Sequence, residues 1–172
     1  VKVDEAGYEK AKAAAQAKSR SYADEMTKDK AYMMQHVETH NPATVFTGYD
    51  TLTDDGTVLM LLNEKFELAD EVSGTGYAVF DKTPFYAESG GQVGDKGSVF
   101  SDGKEIARVE DVQKPISKVF LHKISGTLKK GQKVRLCVDA ALRKRCMANH
   151  SAIHLVNAAL RQVFGTGVHQ SG

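Results

Sequence analysis

The chain has 172 residues, a formal net charge of +1, 41% hydrophobic and 26% charged residues. Collagen, low-complexity disorder and a disulfide scaffold are excluded, and Cys137 and Cys146 read as two reduced thiols of a cytoplasmic protein. No apolar run approaches the ~20 residues of a bilayer span, so no membrane partner is expected, and the charged, Ala-rich start is not a secretory leader. The missing initiator Met and the end at HQSG lead us to expect an internal piece of a longer protein.

Residues 6–36 are rich in strong helix formers, with no Gly or Pro after Gly7. The apolar face of this predicted helix is thin, mostly Ala with a few anchors such as Tyr8, Tyr22 and Met26, so residues 1–41 read as a helical linker or the tail of a preceding domain. Pro42 ends that pattern. From there the signal becomes period two with β-branched residues, giving predicted strands over 44–49, 57–63, 77–81, 97–100, 106–112, 118–124 and 133–138. Turn signals fall at 54–56, 73–76, 101–103 and 130–131. Many short strands without intervening helices imply a small antiparallel barrel or sandwich over 42–139. In 133–138, Val134, Leu136 and Val138 fall on one face, and Lys133, Arg135 and Cys137 on the other. A second helix starts at an Asp139 N-cap and runs to Phe164, where Gly165 and Gly167 end it, opening a third region, 140–172. Leu142, Cys146, Ile153, Val156, Leu160 and Phe164 form its apolar stripe. The fold class expected is therefore α+β: a helix, a barrel of about six strands, and a long helix.

The small net charge hides a gradient. Residues 50–111 carry five Lys or Arg against fourteen Asp or Glu, whereas residues 112–172 carry eleven against one, Asp139. That points to an anionic partner for the C-terminal third, with a solvated charged face as the alternative.

Two segments bear chemistry. His150 and His154, in NHSAIHL, lie four apart, so on a helix their rings stack on one face and can chelate one divalent metal, usually zinc; unrelated surface histidines also occur at this spacing. Cys146 is too far along a straight helix, about 12 Å from His154, to join them on one ion, and His36, His40, His122 and His169 are the other available donors. The second segment, TPFYAESGGQVGDKG over 83–97, is a glycine-rich loop that could face a substrate or another chain closely, or be a wide barrel loop; it is neither a Walker loop nor a dinucleotide fingerprint.

Those two segments, in that order, resemble alanyl-tRNA synthetases. TPFYAESGGQVGDKG is similar to the glycine-rich barrel loop of that family, and NHSAIHLVNAALRQVFGTGVHQSG to the opening of its editing domain. The resemblance covers about residues 43–172 and implies a barrel like the second domain of translation elongation factors. It implies a parent enzyme that joins alanine to tRNA using ATP and Mg2+ in a catalytic domain outside this chain, and an editing region that hydrolyses mischarged seryl- and glycyl-tRNA. Such a second sieve is needed because a small pocket discriminates poorly between amino acids differing by one hydroxyl. By resemblance His150 and His154 are zinc ligands whose two companions, in a CxxxH motif, lie downstream of the chain. Gln170 matches a pocket glutamine placed at the catalytic centre, and Gly90, Gly91 and Gln92 match the loop that faces the substrate. Ile153 stands where the family commonly has Thr, making that substrate-facing position apolar. Arg143, Lys144 and Arg145 suit the tRNA backbone. With half its ligands, the chain alone is expected to bind zinc weakly and edit poorly. A freestanding trans-editing deacylase and a non-catalytic RNA-binding barrel are the alternatives.

Overall fold

The computed structural model describes residues 35–37, 39–40, 42–89, 93–165 and 167–168. Most of the predicted N-terminal helix lies outside them; residues 35–37 and 39–40 are helical. The chain then folds into β1 (Val45–Phe46), β2 (Thr53–Asn63), β3 (Leu68–Ala69), β4 (Glu71–Phe80), β5 (Lys82–Thr83), β6 (Gly97–Ser101), β7 (Lys104–Ile116), β8 (Val119–Lys129) and β9 (Lys133–Val138), followed by one long helix, Ala140–Phe164. Antiparallel pairing runs β2–β4–β8–β7–β6–β9, and β9 pairs back onto β2 from Thr53↔Cys137 to Thr57↔Lys133. The sheet is thus a closed six-stranded barrel, with β3 added to β2 and a short parallel β1–β5 pair beside it.

Closure follows from alternation. Leu61, Phe80, Val99, Val109, Ile124, Leu128 and Leu136 point into the barrel and are buried together. Their neighbours Met60, Leu62, Val79, Val119 and Leu121 point outward, where Val37 from the preceding helical residues covers them. The β2–β4–β8 wall is therefore buried on both faces. That gives it the continuous apolar runs VLMLL and VFL instead of strict alternation. Register shifts at Val58/Met60, Val99/Phe100, Val109/Asp111 and Gln113/Ile116 bend the long strands around the barrel.

Two predicted turns are strand interiors. Residues 54–56 belong to β2, and 73–76 to β4, where Gly74 lies opposite Gly126 and Gly76 opposite Ile124. Gly76 serves close approach, since a Cβ there would stand 2.6 Å from the Leu62 carbonyl oxygen, whereas Gly74 takes a positive φ of 104° in open space. The turn that does reverse the chain after β2 has no glycine. The Asn63 side-chain oxygen accepts from the N–H groups of Lys65 (2.9 Å) and Glu67 (3.0 Å), and Phe66 takes the positive φ of 60°.

The charge gradient folds back on itself. Acidic β2 and β4 lie beside basic β9 and β8, so Arg135 Nε meets Asp55 Oδ1 at 3.0 Å and Lys129 Nζ meets Glu71 Oε2 at 3.4 Å, each pair at directly opposed register positions. These exposed pairs add little stability each. They do mean that part of the basic stretch expected to face an anionic partner faces the protein's own carboxylates.

Candidate metal centre and its anchor

Asp139 caps the long helix: its Oδ1 accepts from the Leu142 N–H at 2.9 Å. The helix ends at Gly165 (φ 83°), whose N–H reaches the Arg161 carbonyl at 2.9 Å. It has 25 residues, so it extends about 37 Å, far beyond the barrel wall. None of its residues is buried among the described residues. The predicted apolar stripe is present but uncovered: Ile153 is 52% exposed and Phe164 70%, with Val156 and Leu160 also exposed. No described helix is long and apolar enough to cross a membrane.

On this projecting rod the two histidine rings converge. Nε2 of His154 lies 3.1 Å from Nε2 of His150, with ring centroids 4.7 Å apart and planes at 85°. Two imidazole nitrogens bound to one tetrahedral zinc at ~2.0–2.1 Å would stand about 3.4 Å apart. The pair therefore already sits close to the edge length of such a site. Both side chains are exposed, so a metal could reach them. Among the described residues no group of three or more His, Cys, Asp or Glu side chains is placed to hold a metal ion. Two donors alone do not close a tetrahedron.

Of the other donors considered, His122 is spent. It is fully buried in the barrel, its Nε2 2.8 Å from Thr83 Oγ1 and its Nδ1 3.2 Å from the Ala78 carbonyl oxygen. That carbonyl can only accept, so Nδ1 carries the proton and Nε2 accepts from the threonine hydroxyl. Phe80 and Phe85 press edge-on against the ring. Burial holds its pKa down at about 4. His40 is exposed, its Nδ1 3.0 Å from the His36 carbonyl oxygen. Cys137 and Cys146 are both free, and burial pushes the Cys137 thiol up, away from the reactive thiolate.

The basic run at the start of the helix differs from expectation at one residue. Arg143 is not turned to solvent toward a phosphate. Its side chain is 11% exposed and forks onto Asp95, whose side chain is 3% exposed. Arg143 Nε donates to Asp95 Oδ1 (2.9 Å) and Oδ2 (2.8 Å), Nη2 donates to Oδ2 as well, and Nη1 and Nη2 reach the carbonyls of Gly48 (2.9 Å) and Pro84 (2.8 Å). The physical reason is helical spacing: three consecutive residues point about 100° apart, so one of Arg143, Lys144 and Arg145 must face the barrel. Lys144 is exposed, as is Arg145, and both remain free for solvent or an anion.

Asp95 itself closes the two ends of the glycine-rich segment. Its N–H donates to the Tyr86 carbonyl (2.9 Å), and its Oδ2 accepts from the Tyr86 N–H (2.7 Å). It stands in the quoted segment, yet nothing in the sequence marks it as the buried partner of a helix residue 48 positions on. Gly90, Gly91, Gln92 and Gln170 lie outside the described residues.

A closed six-stranded barrel joined to a helix bearing a convergent histidine pair, with a glycine-rich segment stitched between them, is the setting in which relatives become informative. The sequence profile of the family described as tRNA synthetases class II (A) matches residues 1–142, and the chain belongs to that family. More particularly, it is similar to alanine--tRNA ligases: that of Elusimicrobium minutum at 49% identity over 99% of this chain, that of Herminiimonas arsenicoxydans at 44% over 100%, and that of Pseudothermotoga lettingae at 42% over 100%. The chain spans about a fifth of the length of these relatives, 20%, 19% and 19% respectively. The resemblance first read from two motifs thus extends along essentially the whole chain.

Proposed function

We propose that this chain is the barrel and the opening of the editing region of an alanine–tRNA ligase, and that His150 and His154 supply half of a zinc site used to hydrolyse tRNA carrying serine or glycine in place of alanine. The observation that carries this reading is the 3.1 Å approach of the two Nε2 atoms from positions i and i+4 of one helix. The similarity to alanine--tRNA ligases supports the parent, and the uncovered stripe of Ile153, Val156 and Leu160 is where the remainder of that ligase packs and delivers the two missing donors. ATP and Mg2+ belong to the ligase's separate charging step.

In the reaction His150 and His154 hold two corners of the site and fix its place on the rod. Zinc there would either lower the pKa of a water toward ~7 or orient the aminoacyl ester. Gln170 positions the attacking water, since a neutral amide is no practical base at ordinary pH. Gly90, Gly91 and Gln92 face the aminoacyl group, the two glycines leaving room for it. Ile153, on the next turn from His150, presents an apolar wall to it. Lys144 and Arg145 contact tRNA phosphates, placing the acceptor end without reading its sequence. Arg143 takes no part in that contact.

The test is deacylation of seryl-tRNA by the full-length ligase that carries this segment. Replacing His150→Ala is expected to lower kcat/KM on the order of 100-fold while the melting temperature stays within a few degrees. Undiminished deacylation would instead favour a non-catalytic RNA-binding barrel.

A further inference from the structure

Arg143 does more than dock a helix end. Taking about 100° per residue, His150 lies about 20° to one side of Arg143 around the helix and His154 about 20° to the other. They follow it by about 10 and 16 Å along the axis. One face of the rod therefore carries, in order, the anchor and the histidine pair. The anchor's partner, Asp95, is the residue that joins the two ends of the glycine-rich segment through both Tyr86 hydrogen bonds. The same guanidinium also grips the Pro84 carbonyl, near the start of that segment, and the Gly48 carbonyl in the turn after β1.

We propose that Arg143 is a positioning residue for the hydrolysis: through Asp95 it sets the distance and rotation of the histidine-bearing helix face relative to the barrel at Tyr86 and Asp95, where the two described ends of the glycine-rich segment meet. The argument for positioning, over simple stability, is directional. None of the described helix's residues is fully buried, and His150 and His154 are exposed. A rod held at one end swings unless that end is clamped in two directions. The guanidinium is planar and carries five donors in fixed geometry, so it resists both tilt and twist, which a lysine ammonium, a point charge on a flexible stem, does not.

The inference rests on the editing reading, and its test separates the two. In the full-length ligase, Arg143→Lys and Asp95→Asn are compared singly and together. The readouts are seryl-tRNA deacylation, zinc content, and hydrogen–deuterium exchange. Each single change is expected to lower kcat about 10- to 100-fold with KM within about two-fold, because misplacement by about an ångström is enough for such a loss. Zinc content stays as in the parent. The double variant is no worse than the worse single, since both act through one contact. Exchange rises more in peptides covering 84–96 and 140–154 than in β4 and β8. An unchanged kcat in Arg143→Lys, a rise in exchange as large in β4 and β8 as at 84–96 and 140–154, or losses that multiply in the double variant would each overturn the proposal. If the unsubstituted ligase does not hydrolyse seryl-tRNA, the editing reading falls. The clamp is then decided by exchange alone, a local rise upholding it and none refuting it.

Discussion

Arg143→Met is expected to lower the folding stability of the chain by about 3–5 kcal/mol, read as the shift of the urea midpoint at constant slope. The size follows from what is left behind. Asp95 is almost wholly enclosed, and three guanidinium hydrogen bonds satisfy its carboxylate. Without them a buried charge keeps only the Tyr86 N–H as a donor. The carbonyls of Gly48 and Pro84 lose a partner at the same time. Replacing both members, Asp95→Leu with Arg143→Met, is expected to recover part of the loss, because an absent pair costs less than a broken one. A shift below about 1 kcal/mol for Arg143→Met would put the pair in the class of surface ion pairs and contradict the structure.

The second large effect is acid lability from His122. In the folded chain this ring is neutral down to a pKa of about 4, whereas its ordinary value is 6.5. As pH falls through 6.5 the unfolded chain takes up a proton that the folded chain refuses. The group's contribution is thus complete above pH 6.5, is lost progressively on acidification, and levels off below about pH 4. At 1.36 kcal/mol per pKa unit the loss amounts to roughly 3 kcal/mol. Urea titrations between pH 7 and 4 should show this slope. In His122→Gln, which keeps a polar side chain for Thr83 but cannot titrate, the slope should shrink by that amount even if the variant is less stable throughout. An equal slope in the two proteins would mean that the ring is charged inside the barrel or is not buried.

What the sequence reveals and conceals here divides along a physical line. Strand β9 is read at its exact limits, Lys133–Val138, because one face of it is wet and the alternation is clean. The Asp139 cap and the Gly165 stop are likewise read correctly, since capping depends on neighbours in sequence. Residues 73–76 mislead because glycine has two uses. It permits turns, and it permits close backbone approach inside a tight barrel, and only the Leu62 carbonyl lying 2.6 Å from where a Gly76 Cβ would stand tells which. The charge gradient misleads for a related reason. Counting along the chain cannot see that Asp55 and Arg135, eighty residues apart, are neighbours across a ladder.

The same division runs through the site. Convergence of His150 and His154 is a local property of i and i+4 and is met by the structure. The role of Arg143 is not local. Within the run Arg143-Lys144-Arg145 every residue looks equally suited to a phosphate, and only the direction of the barrel selects the one that turns inward. Asp95 is concealed further still, one of two acidic residues in the glycine-rich segment. His122, weighed as a metal donor from its side chain alone, is excluded by partners that lie 39 and 44 positions away.

The most direct measurement is X-ray absorption at the zinc edge of the full-length ligase, with metal content, for the parent and for the His150→Ala/His154→Ala double variant. The account predicts about one zinc per parent chain in a four-coordinate shell that includes two imidazoles, and loss of the metal in the double variant. A double variant that keeps its zinc with an unaltered coordination shell would contradict it.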